Sequence, residues 1–213
     1  MLLTPLIDDD YLKQSVTAIL ETGTLPAIVQ AGHPVLRAQA LPFRGQLTGP
    51  ELSALISIMT ETMRAAPGVG LAAPQIGIPL QLAVLEDQYE VSADNAAARQ
   101  RQPLELFTII NPRYIPVGHD LASHYEGCLS MSGWQAVVDR PATVDLAYDD
   151  ENGSARTARF TGWQARIVQH ETDHLSGTLY IDKAHTRSLA SNATYSEFWA
   201  NPDVVAAKAG LNF

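Results

Sequence analysis

The period of the apolar positions changes several times along the chain and distinguishes helices from strands. After Thr48, which forms a capping-box pattern with Glu51, apolar residues recur every three or four positions and predict an amphipathic helix. A second predicted helix ends at Gly23, and a third begins near Gly162 and ends before Gly177. The predicted helices cover residues 9–22, 50–66 and 163–175.

Short strands are predicted in the remaining apolar stretches. The best defined pair flanks Asn152-Gly153, because this dipeptide suits the tight turn of a β-hairpin. The predicted strands cover residues 81–85, 107–111, 136–139, 143–149, 156–161 and 178–181. We therefore predict an α+β fold in which antiparallel strands surround a central helix, residues 163–175.

The length of 213 residues and the hydrophobic content of 46% suit a single domain, residues 1–213, with its own core. Its central part is expected at residues 36–183. Residues 87–105 are rich in Ala, Gln and Arg and predict an exposed insertion. Residues 185–213 form a C-terminal tail, part of which is expected to pack on the body through aromatic side chains. These are Tyr195, Phe198 and Trp199.

Charge and composition argue against several classes of protein. The formal net charge of −9 disfavours nucleic-acid binding, because phosphate contacts need clustered lysine and arginine. No apolar stretch reaches membrane-spanning length. Residues 1–10 contain three aspartates and no basic residue, so they fit neither a secretory signal nor a transit peptide. The single cysteine, Cys128, cannot form an internal disulfide, which favours a reducing cytoplasm.

Residues 170–174 carry the strongest chemical signal. His170 and His174 are four residues apart, so in a helix their imidazoles share one face and can bind one metal ion. Glu171 lies between them and is placed to exchange protons with a water molecule. This H-E-x-x-H arrangement is typical of metal-dependent hydrolases. A lone histidine in a helix is usually an ordinary hydrogen-bonded residue, but the pair with the glutamate favours a metal site.

The third metal ligand is open to two alternatives. Catalytic sites of this kind use three protein ligands, and the long zinc-protease pattern fails here because Tyr180 stands at its last position. Glu197 is the only glutamate after the motif. Cys128 is the other candidate, because a thiolate binds zinc or ferrous iron strongly and small or polar neighbours indicate a tight backbone segment. A lone cysteine is otherwise usually a small buried side chain.

Three sequence blocks together resemble the peptide deformylase family. Residues 68–75 read GVGLAAPQ, residues 126–130 read EGCLS, and residues 169–174 read QHETDH. The blocks stand in the family's order with comparable spacing, and the resemblance covers about residues 36–183. The run from Gly162 to Ile167 looks closer to actinobacterial and mitochondrial members than to the shorter enterobacterial ones.

The resemblance implies a metal-dependent hydrolase that removes the N-terminal formyl group from formyl-methionine of newly made polypeptides and releases formate. Glu171 would take and deliver protons. Gln75 and the backbone N–H of Leu129 would donate to the oxygen that becomes negative. Gly70 lacks a Cβ, so its backbone can approach a substrate closely. The implied metal ligands are Cys128, His170 and His174.

The resemblance also implies a substrate pocket and a buried ion pair. Val69, Trp163 and Ile167, beside Gly70, correspond to residues that line an apolar methionine pocket, although ordinary core packing is an equally simple role for them. Arg140 and Asp173 would form an ion pair that anchors the metal-binding helix to the following strand. Two solvated charges are the alternative.

One divalent metal ion is implied, ferrous iron in cells, with zinc, nickel or cobalt able to substitute. Oxygen would then attack both the iron and Cys128. The implied partners are formyl-methionyl nascent peptides and, transiently, the ribosome, although the sequence has no strong basic patch for such docking. Met131-Ser132 and Gln135 depart from many bacterial relatives, which leaves peptide contacts beyond the first residue open.

Three competing hypotheses remain at this stage. A metallopeptidase would use Glu197 as its third ligand. A structural zinc site would need a fourth protein ligand, for which His124 is the nearest candidate. A family member with altered activity would act on other formyl or acyl groups, and intact Gln75, Glu171 and Gly70 argue against loss of activity without defining the substrate.

Overall fold

A computed structural model describes residues 7–213 of the chain; residues 1–6, the start of the acidic N-terminal segment, lie outside the described part. The helices are α1 (Asp9–Thr22), α2 (Gly49–Ala65), α3 (Ala93–Arg99), α4 (Gly162–His174), α5 (Asn192–Thr194) and α6 (Val205–Leu211). The strands are β1 (Gly70–Ala72), β2 (Leu82–Asp87), β3 (Leu104–Pro116), β4 (Leu121–Gly127), β5 (Trp134–Pro141), β6 (Thr143–Asp149), β7 (Ala155–Thr161) and β8 (Ala190–Ser191). Single turns of 3₁₀-helix occur at Pro34–Arg37, Ala73–Ile76, Tyr180–Asp182 and Thr186–Ser188, and a π-helical turn at Tyr195–Trp199.

Two antiparallel sheets enclose helix α4. The first has five strands in the order β1-β2-β3-β6-β7, and the second has three in the order β4-β5-β8. Helix α4 packs against every strand of the first sheet and against β5 of the second. The predicted α+β class with a central helix is confirmed.

The apolar stripe of α2 explains why this helix forms and where it packs. Thr48 and Glu51 form the predicted capping box, in which the Thr48 N–H donates to the Glu51 carboxylate at 2.7 Å. Leu55, Met59 and Met63 are fully buried in a core shared with α1, β1 and β2. Each such side chain contributes about 1.5–3 kcal/mol through burial. This core supports β1, the strand that borders the site.

Helix α4 buries two faces of different character. Ala165 and Val168 pack in the apolar core of the first sheet, together with Leu175 just beyond the helix. Arg166 and Asp173 are also buried, on the side that meets the second sheet. Polar side chains inside a protein need partners, so this face must be held by an ion-pair and hydrogen-bond network.

The predicted strand at residues 178–181 is wrong. The chain forms a 3₁₀ turn at Tyr180–Asp182, because the Asp182 carboxylate accepts a hydrogen bond from the Leu179 N–H at 2.8 Å and turns the backbone. The strand predicted at residues 107–111 is longer in the structure and continues to Pro116. Asn111, within it, has a positive φ of 50° and lies where the pairing of β3 with β6 shifts register. Strands β1, β4 and β8 were not predicted.

The predicted insertion is exposed but attached at both ends. Helix α3 has no buried residue. Before it, Asp87 is buried and accepts two hydrogen bonds from Arg101, at 2.6 and 2.8 Å, and Leu104 beyond it is buried in the core. The segment is therefore a surface loop with a fixed base.

The C-terminal tail packs on the second sheet, as predicted for part of it. Tyr195 and Trp199 join a core with Tyr125 and Val137, whereas Phe198 is 55% exposed.

Within residues 7–213, no helix combines the length and the apolar character needed to cross a membrane.

Candidate metal centre and cleft

Three side chains from two distant parts of the chain converge beside α4. Cys128 follows the end of β4, and His170 and His174 lie one turn apart on α4. Their ligand atoms all lie within 4.8 Å of one another, and Cys128 Sγ is 3.3 Å from His174 Nε2. In the part of the chain that the structure describes, this is the only group of three or more potential ligands of this kind.

The donor set fits a divalent transition metal. One sulfur and two imidazole nitrogens are the ligands that zinc and ferrous iron accept, and three protein ligands leave a position for a small molecule. The Nδ1 atom of His170 is 2.9 Å from Glu126 Oε2. This contact fixes the ring and leaves Nε2 available for a metal ion, an arrangement typical of histidine ligands.

Glu171 lies against the backbone of Gly70 in a buried position. The side chain is 4% exposed, and within residues 7–213 its Oε2 atom has no hydrogen-bond partner. Burial raises the pKa of the Glu171 carboxyl to about 7. A methyl carbon on Gly70 would lie 2.5 Å from Glu171 Cδ, so only glycine allows this approach. The carboxyl can therefore bind and release a proton near neutral pH.

Gln75 and Leu129 present N–H groups beside the cysteine. The Gln75 Oε1 atom accepts a hydrogen bond from the Ala72 N–H at 2.8 Å, which directs Nε2 toward Cys128 Sγ at 3.5 Å and Ser130 Oγ at 3.4 Å. The Leu129 side chain packs on the core under α2. Among the described residues, the Leu129 N–H has no hydrogen-bond acceptor. Both groups can donate to a ligand.

A buried charge network surrounds Glu126. Arg140 donates to both of its carboxylate oxygens, at 2.6 and 2.9 Å, and Arg166 donates to Oε1. Burial disfavours the Glu126 charge, but Arg140 and His170 outweigh it and hold the pKa of this carboxyl well below its usual range. Glu126 is therefore an anion that joins two arginines to a candidate metal ligand.

Asp173 extends this network on the far side of α4. Its carboxylate accepts hydrogen bonds from Arg140 at 2.7 Å, from Lys183 at 2.7 Å and from Tyr114 at 3.0 Å. Arg140 is 2% exposed and Asp173 6%, so the two are not solvated surface charges. The structure thus brings the expected pair, Arg140 and Asp173, into direct contact between β5 and α4.

A cleft of about 370 Å³ opens beside the three converging side chains. The residues predicted for the substrate pocket all line it, and so do Trp134, Gln135 and Asn192 at the end where β5 meets the C-terminal tail. The predicted pocket residues are Val69, Gly70, Trp163 and Ile167. A cleft with an apolar wall and convergent polar groups is the usual form of a small-molecule or peptide site.

The alternative ligands lie elsewhere. Glu197 is an exposed residue of the C-terminal tail and does not belong to the converging group. His124 lies on β4 with its ring edge toward Trp163, the two centroids 6.2 Å apart. Burial and the charge of Arg166 lower the pKa of His124 to about 4. The structure does not bring either residue to the site.

Two residues of the site were not predicted from sequence. Glu126 belongs to the cysteine block and Arg166 to the run from Gly162 to Ile167, but neither was given a role. A signal existed for each. Arg166 precedes His170 by four residues and so shares its helix face. Glu126 precedes Cys128 by two residues, and in an extended segment positions two apart share a face.

Comparison with known proteins gives consistent matches over most of the chain. The sequence profile of the polypeptide deformylase family matches residues 25–190. Peptide deformylase 3 of Streptomyces avermitilis is 50% identical over 202 residues, which cover 95% of this chain and 90% of that protein. The mitochondrial peptide deformylase of Homo sapiens is 39% identical over 169 residues, covering 77% of this chain and 70% of that protein.

Solved structures of similar proteins show the same fold. The peptide deformylase from Synechococcus elongatus in complex with actinonin has a TM-score of 0.64 and 34% identity, with 82% of this chain and 85% of that chain covered. The Met-Ala-Ser-bound class I type b peptide deformylase from Acinetobacter baumannii has a TM-score of 0.68 and 27% identity, with 75% and 98% covered.

Proposed function

Since this chain belongs to the polypeptide deformylase family, we propose that Cys128, His170 and His174 hold the metal ion of its active site. The chain is a metal-dependent hydrolase that removes the N-formyl group from newly made polypeptides. The observation that supports the residue assignment most strongly is the convergence of the three ligand atoms within 4.8 Å, beside the buried carboxyl of Glu171.

The ion would be ferrous iron in cells, with zinc, nickel or cobalt as substitutes. When bound, it supplies Lewis acidity, which lowers the pKa of water and polarises the formyl carbonyl. Because Cys128 is partly exposed, oxygen can reach the thiolate of an iron-loaded enzyme. Nickel- or cobalt-loaded protein is therefore expected to be active and more durable in air, and zinc-loaded protein weaker. Equal activity of zinc- and iron-loaded enzyme would contradict the choice of iron.

Glu171 is the proton carrier in this proposal. Its carboxylate accepts the proton of the attacking water as the oxygen bonds to the formyl carbon, and delivers it to the amine nitrogen as the C–N bond breaks. A group with a pKa near 7 suits both transfers at neutral pH, and such catalysis contributes roughly 10²–10⁴-fold in rate. Gly70 keeps the space that this carboxyl occupies.

Gln75 and Leu129 would stabilise the negative oxygen that forms from the formyl carbonyl. The Gln75 amide is held by Ala72, and the partly buried Leu129 side chain packs on the core and restrains its backbone, so both donors are oriented in advance. Loss of one such donor typically costs about 3 kcal/mol of transition-state stabilisation. Arg140 and Asp173 hold α4 against β5 and so keep the histidines in register with Cys128.

The cleft would take the methionine side chain against Val69, Trp163 and Ile167. The related Acinetobacter enzyme has been solved with Met-Ala-Ser bound, which supports a peptide with an N-terminal methionine as ligand here. We infer that the partners are formyl-methionyl nascent chains. The enzyme would meet them in the cytoplasm, where its lone cysteine would stay reduced. A transient contact with the ribosome stays a prediction.

The proposal is tested by anaerobic reconstitution with ferrous iron and assay of formate release from formyl-Met-Ala-Ser. Acetyl-Met-Ala-Ser serves as the control substrate and should not react, because its extra methyl group crowds the carbonyl carbon. The Glu171→Gln variant should bind iron as the parent does and lose at least about a hundredfold in kcat. An inactive parent enzyme with bound iron, or a fully active Glu171→Gln variant, would contradict the proposal.

A further inference from the structure

The end of the insertion docks on the first turn of α4. A methyl carbon on Gly162, which has φ 58, would lie 2.6 Å from Gln100 Cβ and 2.7 Å from the Gln100 carbonyl oxygen. The Gln164 side chain donates to the Pro103 carbonyl at 2.8 Å. The segment 99–103 and the start of α4 are therefore in close backbone contact, and only glycine at position 162 allows it.

Arg99 lies over the indole ring of Trp163 within this interface. Its guanidinium carbon is 4.8 Å from the ring centroid, the distance of a cation–π contact. The Arg99 Nε atom is buried without a hydrogen-bond partner, and within residues 7–213 Arg99 forms no ion pair. The aromatic ring is thus the principal partner of this cation.

The ring of Trp163 in turn forms part of the cleft wall. Its Nε1 atom is buried and has no acceptor among the described residues, so no hydrogen bond fixes the ring orientation. The ring is held instead by its neighbours, which are Arg99 over the face, Arg101 and Arg166 at 5.8 and 6.0 Å from the centroid, and the edge of His124. Arg166 forms an ion pair with Glu126, and Arg101 forms one with Asp87. Arg99 is the one of these cations that has no other charged partner among the described residues.

We propose that Arg99 is a positioning residue for substrate selection, which fixes the Trp163 ring and so sets the width of the pocket for the first side chain. The insertion, through the Asp87–Arg101 ion pair at its base, holds Arg99 in place. This inference rests on the proposed function of the cleft. Arg99 does not line the cleft, so its effect on the pocket would be transmitted by the Trp163 ring.

The consequence is a change in selectivity when Arg99 is removed. In an Arg99→Ala variant the indole gains rotational freedom, the pocket fits methionine less closely, and bulkier side chains enter more easily. The ratio of kcat/KM for formyl-Met-Ala-Ser to that for formyl-Phe-Ala-Ser should fall roughly fivefold, as expected for loss of one cation–π contact. The fall should come from a higher KM for the methionine substrate, with kcat retained.

The experiment compares iron-loaded parent, Arg99→Ala, Arg99→Met and Arg159→Ala on both substrates. Arg99→Met keeps an aliphatic cover on the ring but removes the charge, and should relax selectivity less than Arg99→Ala. Arg159 forms an exposed ion pair with Asp145 on the β6–β7 hairpin, so its replacement controls for loss of a surface arginine. It should leave the ratio unchanged.

The outcomes are separable. A parent enzyme that releases no formate would refute the proposed function itself. An active parent, together with a folded Arg99→Ala or Arg99→Met variant that keeps the parent's ratio, would overturn only the role of Arg99. A merely structural role would lower activity on both substrates in proportion and leave the ratio unaltered, which also counts against the proposal.

Discussion

At the scale of single residues, the position of Glu171 depends on the missing side chain of Gly70. A methyl group there would lie 2.5 Å from Glu171 Cδ, so Gly70→Ala must displace the carboxyl. A misplacement of about 1 Å costs roughly a hundredfold in rate, and we expect kcat to fall by that order while bound metal is retained. The measurement is kcat with metal content on the same samples.

The matched control is Gly49→Ala at the start of α2, where an added methyl group meets no neighbour within 4 Å. This variant should keep the parent's kcat. If Gly70→Ala also kept it, the placement of Glu171 would not matter for catalysis.

His124 gives a pH prediction at the same scale. Burial and Arg166 lower its pKa to about 4, whereas an unfolded histidine has a pKa of about 6.5. The unfolded chain therefore takes up the proton first as the pH falls, so this contribution to stability is complete above about pH 6.5 and is lost on acidification toward pH 4. In His124→Gln, urea midpoints at about pH 7 and about pH 5 should differ by less than in the parent. The same pH dependence in both proteins would contradict this role of burial.

At the scale of secondary-structure elements, α4 is held by charges that it shares with β4 and β5. Asp173 faces Arg140 and Lys183 in a buried position. In Asp173→Asn the two cations lose a buried counter-charge, so we expect a loss of about 3–5 kcal/mol in the free energy of unfolding. Because the same contacts orient the histidines, metal affinity should fall about 10–100-fold. Urea denaturation and competition with a chelator measure the two effects.

The control for Asp173→Asn is Asp145→Asn, which removes one partner of an exposed ion pair with Arg159. It should leave the urea midpoint close to that of the parent, because water screens such exposed pairs. Equal costs for the two variants would show that burial of the Asp173 network does not stabilise the protein.

The elements differ in how well the sequence predicts them, and the reason is physical. Helix α2 has a capping box and an unbroken apolar stripe, so local signals suffice. Strand β4 was missed because Glu126 points inward and breaks the apolar alternation, and its burial is acceptable only beside Arg140 and Arg166. Such pairing is a property of the tertiary structure. The predicted strand at residues 178–181 failed because a single side chain, Asp182, bends the chain there.

At the scale of the whole molecule, the metal chemistry was more predictable than its surroundings. His170, Glu171 and His174 are adjacent on one helix, so their geometry follows from the helical repeat. Cys128 comes from another element, and only chemistry and family resemblance indicated it. The Arg99–Trp163 contact depends on how an exposed insertion folds back on α4, and nothing in the local pattern of residues 87–105 indicates that.

We propose that residues 7–213 unfold as one unit, because their core clusters share the same sheets and helix. The C-terminal tail packs on β4 and β5, and α4 links the second sheet to the first. Far-UV circular dichroism and tryptophan fluorescence should therefore report a single urea transition with the same midpoint. Two separate midpoints would indicate independent units.

The most direct test of the account is the metal content of Cys128→Ser beside Glu197→Ala. Both proteins are reconstituted anaerobically with ferrous iron, and bound metal is measured together with formate release. We predict that Cys128→Ser loses the ion and the activity, whereas Glu197→Ala matches the parent in both. A Cys128→Ser protein that binds iron as tightly as the parent, or a Glu197→Ala protein without metal, would contradict the proposed centre.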